Sequence, residues 1–295
     1  MSRALLYTFL LSSTLLFTAC QAKYTPLMHS IESGCEFYSL RSAQCLNEEQ
    51  LVEKLQPYKV IFIGDHHNKE SLHKKIAKLI EALSKSGTKV HLANEWFYPD
   101  DINVLKAFSN RTIDEAEFLE QIQWAKRFKH YPYSSFRPIY QAVQKSKGQL
   151  YGINLSKRDR KKISDQNLSA MTREELSFYN KLDINVAPHR TLVMPFLSHC
   201  HAPKPGESSQ KCIERMYRVQ VAWDSKMAIE SFKLSQNLQE HEKLLIFAGS
   251  MHIQNRLGIP LRFARLGNLP HISIVPADTK TTEAENGLGD FLLFY

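Results

Sequence analysis

Two stretches of the chain end alike. Lys59-Val60-Ile61-Phe62-Ile63-Gly64-Asp65-His66-His67 and Lys243-Leu244-Leu245-Ile246-Phe247-Ala248-Gly249-Ser250-Met251-His252 are each a short apolar run closed by Gly-x-x-His. Near-continuous apolar runs of this length predict buried strands of a parallel sheet. In open α/β sheets, ligands bind at the carboxyl ends of such strands. Each glycine is expected to let the chain leave its strand in a conformation that other residues resist. The histidine three residues on then turns back over the strand end, so His67 and His252 are expected to face one crevice. Two more apolar runs, 90–94 and 150–153, finish at Glu95 and Asn154. Two imidazoles beside one or two carboxylates have two chemical uses. They bind a divalent metal in a hydrolase, or they form a hydrogen-bonded network that holds loops around another ligand. A single histidine is more often structural; the convergence of four polar strand ends favours a functional site.

The elements that must position these groups alternate. Strands are predicted at 60–63, 90–94, 150–153, 244–247, 271–275 and 291–294. Asn47 caps a helix running to Leu55. Asn68 is expected to cap another, with its core at 73–84 and an apolar stripe of Leu72, Ile76, Leu79, Ile80 and Leu83. Thr112-x-x-Glu115 and Thr172-x-x-Glu175 read as capping boxes that start two more helices, and a long helix is predicted from about Ile213 to Leu234. Alternating strands and helices predict an α/β fold with a mainly parallel sheet flanked by helices. The helical insertions at about 100–145 and 157–235 are expected to form a cap or subdomain on a single domain spanning 47–295. The crevice between sheet and cap is then the natural pocket.

Residues 1–20 read as an export signal rather than as part of the fold. Arg3 precedes the apolar segment Leu5 to Phe17, which is too short and wrongly flanked for a transmembrane helix. Leu16-Phe17-Thr18-Ala19-Cys20 is similar to a bacterial lipobox, in which the cysteine carries lipid; an ordinary signal peptide with an incidental cysteine is the alternative. Gln21 follows, with no Asp to retain the protein at an inner membrane, so a lipid-anchored outer-membrane location is expected. Residues 21–46 read as a tether and an irregular lead-in. Of the five cysteines, lipid on Cys20 leaves four: Cys35, Cys45, Cys200 and Cys212. Three pairings exist, and spacing favours the two local ones, Cys35–Cys45 and Cys200–Cys212. A Cys/His metal site is the rival, because His199 and His201 flank Cys200, although no C-x-x-C spacing supports zinc. With no C-x-x-C-H, covalent c-type haem is excluded. The formal net charge of +8 suits anionic lipid headgroups or an anionic ligand. Its densest run, Lys157 to Lys162, reads as a solvated helix face. Nucleic acid is not an expected partner of an exported lipoprotein.

The strand ends, together with Asn94-Glu95-Trp96-Phe97, the helix start around Tyr133 to Pro138, Gly152-Ile153-Asn154, Gln220-x-x-Trp223-Asp224-x-x-Met227-Ala228 and Gly258-Ile259-Pro260-x-Arg262, occur in a specific order. In that order the chain resembles the ChaN-like haem-binding lipoproteins of the superfamily that includes Tiki, TraB and erythromycin-esterase-like proteins. Asp65 stands where that superfamily more often has Glu. The resemblance covers nearly all of the chain after Cys20. It implies ferric haem held non-covalently through a Tyr–iron bond, between two subunits, in iron acquisition, with an outer-membrane haem receptor as a further partner. Tyr98 directly follows Glu95-Trp96-Phe97 and is the expected ligand; Tyr131, Tyr133 and Tyr140 are the alternatives. His67 and His252 are expected at the cofactor, with His199, His201 and surface cations as candidates for the propionates. The same superfamily supplies the rival reading, a metal-dependent hydrolase using His67, Glu95 and His252. A non-enzymatic carrier is the favoured expectation. Cys20→Ser is expected to leave an unprocessed precursor, read as a mobility shift and as loss of acyl labelling in cells; normal processing and membrane localisation of the variant would reject lipidation.

Overall fold

All six predicted apolar runs form strands, and they run parallel in one sheet. The computed structural model describes residues 27–200 and 203–295. Its strands are β1 Met28–Ser30, β2 Phe37–Ser39, β3 Gln44–Leu46, β4 Val60–Asp65, β5 Lys89–Asn94, β6 Leu150–Gly152, β7 Glu242–Gly249, β8 His271–Ala277, β9 Glu283–Glu285 and β10 Phe291–Phe294. The main sheet has eight strands in the order β3-β2-β10-β8-β4-β7-β5-β6. From β10 to β6 every pairing is parallel; β2 and β3 add an antiparallel edge. β1 and β9 form a separate two-stranded ribbon.

The region expected to be irregular, 21–46, therefore contributes three short strands within its described part. Each is only three residues long, too short to show a period in sequence. β2 is specified by its neighbours instead: Phe37, Tyr38 and Ser39 are buried against β10. A Cys35–Cys45 bond ties the lead-in to β2 to the middle of β3. Closing so short a loop typically stabilises by about 2–3 kcal/mol. The second bond joins Cys200 to Cys212.

Strand alternation divides the core into two layers. Ile61, Ile63, Leu245 and Phe247 face a layer with the helices Glu70–Lys85 and Tyr133–Lys145. Val60, Phe62, Leu244 and Ile246 face Met227, Ala228 and Phe263 of the helices Ser209–Ser235 and Ile259–Ala264. The first half of Ser209–Ser235 continues past the sheet. There it packs with Lys157–Asp165, Arg173–Asn180 and Ala187–Leu197 through two satellite clusters around Ala222 and Tyr217. These helices make up the helical subdomain. The segment 102–145 instead lies on the sheet face, anchored by Tyr133–Lys145.

The caps at Asn47 and Thr172 form as complete capping boxes. Two others differ from expectation. Asp114, not Thr112, caps the helix Glu115–Gln121, because its carboxylate reaches the Glu117 amide. Asn68 does not cap Glu70–Lys85; Lys69 holds that position without a side-chain bond, its amide tied to the His66 carbonyl in a turn.

The glycines at the two strand ends also act differently from expectation. Neither has a positive φ, so neither is required for backbone freedom. They are required for space. A Cβ on Gly64 would stand 2.7 Å from Pro276 Cδ and 2.9 Å from Ser250 Oγ; one on Gly249 would stand 3.2 Å from the His67 ring. Gly64→Ala is expected to destabilise by about 1–3 kcal/mol through overpacking, measured as a lower urea midpoint; an unchanged midpoint would show that Pro276 and Ser250 can yield.

Candidate functional site

The carboxyl ends of β4, β7, β5 and β6 lie side by side, and the polar residues that follow them meet there. Asp65, the last residue of β4, has no side-chain exposure. Its Oδ2 accepts from His67 Nδ1 at 2.7 Å and its Oδ1 from His73 Nε2 at 2.7 Å. His73, on the helix after β4, is itself fully buried, and its Nδ1 lies 2.7 Å from Ser135 Oγ and 3.1 Å from the Ser135 carbonyl. Ser135, His73 and Asp65 thus have the connectivity of a nucleophile triad, but all three are buried, so they serve to hold Asp65.

A second pair mirrors the first. His252, on the one-turn helix Ser250–Ile253 that follows Gly249, donates from Nδ1 to Asp224 Oδ1 at 2.5 Å, and the Gln220 amide lies 3.1 Å from the same nitrogen. Asp224 has no side-chain exposure; its Oδ2 lies 3.0 Å from His189 Nε2 and 3.8 Å from Arg262 Nη1. Tyr217 OH and Arg262 Nη2 lie 3.1 and 3.4 Å from His189 Nδ1. Between the two pairs stands Glu95. Its Oε1 is 3.4 Å from His67 Nε2 and its Oε2 is 3.7 Å from His252 Nε2. Asn154 Nδ2 donates to the Glu95 carbonyl and sets the turn that presents its side chain. The structure thus brings His67, Glu95 and His252 together, with each imidazole held at Nδ1 by an aspartate and aimed by Nε2 at the same carboxylate.

Charge follows from this geometry. Burial alone would raise the Asp65 carboxyl, but hydrogen bonds from His67 and His73 outweigh it and hold it below the usual carboxylate range. Burial would likewise raise Asp224; the His252 charge and bonds from His189 and His252 bring it down to about 2. Burial opposes charging of His67, yet Asp65 and Glu95 raise it above its ordinary value. His252 is raised in the same way, by Asp224 and then Glu95. The cluster is therefore built to keep protons on its imidazoles. Among the described residues, no group of three or more His, Cys, Asp or Glu side chains is arranged to hold a metal ion. Both imidazoles give Nδ1 to an aspartate, which leaves both Nε2 atoms facing the one carboxylate of Glu95.

The tyrosines separate clearly. Tyr140 is fully buried and accepts from Asn94 Nδ2. Tyr133 is buried, which pushes its phenol far up. The Tyr98 ring lies 4.8 Å beneath the Arg127 guanidinium, itself paired with both oxygens of Asp101, and the Tyr98 carbonyl backs onto Gly152. Tyr131 is the one whose ring packs on His67, edge-on at 5.6 Å, with Trp96 at 4.6 Å; Trp96 itself meets His67 at 4.9 Å. Trp124 Nε1 fixes the Tyr131 carbonyl at 2.8 Å. His199 is exposed near Cys200, apart from the groups placed around Glu95; His201 and Cys20 lie outside the described residues. Sequence reasoning did not single out His73, Ser135, His189 or Arg262 as site residues. Asp224 and Arg262 entered only as members of the motifs that carry the family resemblance, with no role assigned to either.

With this geometry described, the chain can be compared with known proteins. Residues 51–263 match the family described as Haem-binding uptake, Tiki superfamily, ChaN. The chain belongs to this ChaN family. Among solved structures it is similar to ChaN of Campylobacter jejuni, described as a cofacial haem complex, with a TM-score of 0.66 and 20% identity over 87% of this chain and 94% of that one. An erythromycin esterase in its open conformation aligns with a TM-score of 0.47 and 13% identity, over 82% of this chain and 77% of that one. The type III effector HopBA1 aligns at 0.47 with 14% identity, over 84% and 92%. Comparison with curated proteins gives no match.

The pKa directions fix a sign. For this ChaN family member, the raised His67 and His252 contribute stability that is fully present below about pH 6.5, their ordinary value, and lost as pH rises through the folded values. The lowered Asp65 and Asp224 contribute stability present above about pH 3.9, lost as pH falls toward the folded values. Unfolding midpoints measured across pH should therefore decline on the alkaline side of about 6.5, and His252→Gln should flatten that decline; an unchanged slope in the variant would remove His252 as its source.

Proposed function

We propose that the protein is a haem-binding outer-membrane lipoprotein of iron acquisition, which holds ferric haem non-covalently at the mouth of the Glu95 crevice. Family membership supports haem as the ligand. The observation that carries the site is the aromatic wall formed by Tyr131, Trp96 and His67. A porphyrin needs apolar contacts and one donor for iron, and a phenolate suits the ferric ion. Of the four tyrosines weighed from sequence, Tyr131 alone combines partial exposure with contact to the charged cluster. Its neighbour His67 carries a raised pKa and offers positive charge beside a phenolate or a propionate. Tyr98 is the weaker candidate, because its ring already serves Arg127. Lipid on Cys20 would hold the protein at the membrane. A homodimer would cover the outer face of the bound haem, and an outer-membrane receptor would exchange haem with it.

A second reading is favoured by one observation. The two Asp–His pairs converging on Glu95 resemble acid–base machinery more than a carrier needs. That reading is a hydrolase that uses His67, Glu95 and His252.

Haemin titration of the soluble protein, followed by turnover assays with ester substrates on the same preparation, separates the two. A saturable Soret shift without turnover is expected. Tyr131→Phe should remove the charge-transfer band of the high-spin ferric phenolate and weaken haem affinity at least tenfold, about 1.4 kcal/mol, with little loss of folding stability. Tyr98→Phe should change neither strongly. The reverse ranking would return the ligand to Tyr98. Ester turnover abolished by Glu95→Gln, with no saturable haem binding, would favour the hydrolase.

A further inference from the structure

The helix that supplies His189 is weakly held by its own sequence. Ala187–Leu197 contains an interior proline, Pro195, has no side-chain N-cap, and buries only His189 and Val193. Those two residues matter beyond the helix. His189 meets Asp224, which holds His252, and Val193 packs with Tyr217 and Val221 in the cluster that also receives Met251. Across from it, Arg190 pairs with Glu214 and lies 4.9 Å over the Tyr217 ring. The covalent tie is the Cys200–Cys212 bond, three residues beyond the helix end and within the first turns of Ser209–Ser235.

The two sulfurs of this bond differ. Cys212 is fully buried, whereas Cys200 is partly exposed. Arg215 Nη2 lies 3.4 Å from Cys212 Sγ. A cation beside a sulfur stabilises the thiolate and makes it a better leaving group. Glu207 holds that guanidinium through Nε and Nη2, both at 2.8 Å, which fixes its position while screening part of its charge. Attack is thus directed at the accessible sulfur and departure at the stabilised one, an arrangement that a purely structural bond does not need.

We propose that Cys200–Cys212 is a redox latch on the His189–Asp224–His252 chain, opened by a dithiol partner of the thiol–disulfide oxidoreductase class. A partner thiolate bonds to Cys200 Sγ; the Cys200–Cys212 bond breaks and its electron pair leaves on Cys212 Sγ beside Arg215. The partner's second thiolate then displaces Cys200, giving two thiols here and a disulfide on the partner. Untied, helix 187–197 separates from the long helix and takes His189 from Asp224. The inference stands whether the crevice binds haem or performs hydrolysis, since neither enters it.

Hydrogen–deuterium exchange on the full chain, with and without a small dithiol, tests it. Reduction should raise exchange across 187–197 by about tenfold or more and leave β4 and β7 protected. It should also shift the downfield proton of the short His252–Asp224 bond. Cys200→Ser with Cys212→Ser should reproduce both changes, whereas Cys35→Ser with Cys45→Ser should produce neither. Arg215→Gln should slow reduction of Cys200–Cys212 several-fold. The latch is overturned if 187–197 stays as protected in reduced wild-type protein as in oxidised, or if the Cys35–Cys45 bond is the one reduced first. It is also overturned if reduction rates are equal with and without Arg215.

Discussion

A buried carboxylate at the end of a central strand must be matched by donors, and Asp65 sets that requirement for the whole site. It occupies the last position of β4, between β8 and β7, where no water reaches its side chain. Desolvating an unmatched charge there would cost several kcal/mol. Two imidazoles meet it instead, one from the turn after the strand and one from the following helix. His73 must then be satisfied at its other nitrogen, and Ser135 does this from the start of another helix. One charge therefore fixes the relative placement of β4, the helix after it and the helix Tyr133–Lys145. The aromatic wall around Trp96 and Tyr131 is built against that same helix through Phe136.

Asp224 repeats the solution from a different part of the chain. It comes from the middle of a long helix rather than a strand end, and three further elements surround it: His252 donates to it, while His189 and Arg262 stand at ion-pair distance. Arg262 also binds the carbonyls of Leu257 and Gly258, which draws the loop after His252 back onto the network. The close return explains Gly258, where a Cβ would stand 2.2 Å from the His252 carbonyl oxygen. Glu95 lies between two imidazoles whose orientations are each set from behind, so its surroundings are held by both layers of the fold. Preorganisation of this kind suits a proton-transfer site, and it equally suits a fixed charge beside a bound anion.

Much of this was legible in sequence because it depended on local pattern. Apolar runs ending in Gly-x-x-His located β4 and β7, and the order of strands and helices gave the parallel sheet. The donors behind the carboxylates were not legible, because His73, His189 and Arg262 sit on helices where a histidine or arginine has no distinguishing period. Only the packing of distant elements brings them to Asp65 and Asp224. Tyr131, an alternative to Tyr98 from sequence, ranked second for a related reason. It lies in a loop before a helix, and its approach to His67 depends on Trp124 holding its carbonyl. Tyr98 looked better by adjacency to Glu95, but the chain turns at Pro99 and sends the ring to Arg127. The short strands β2 and β3 were missed because three residues cannot show alternation.

The pairing of β4 with β7 also determines when the site can come into being. The Ser250 hydroxyl binds the Asp65 carbonyl across a separation of 185 residues, and the strands beside it are joined over similar spans. Contacts so distant form late, because the loop between them must be closed before they return any energy. Until residues 242–252 have joined the sheet, β4 lacks its central neighbour and His67 and Glu95 lack His252. A chain cut short before residue 242 would keep every residue of the Tyr131 cluster and still lack β7 and His252.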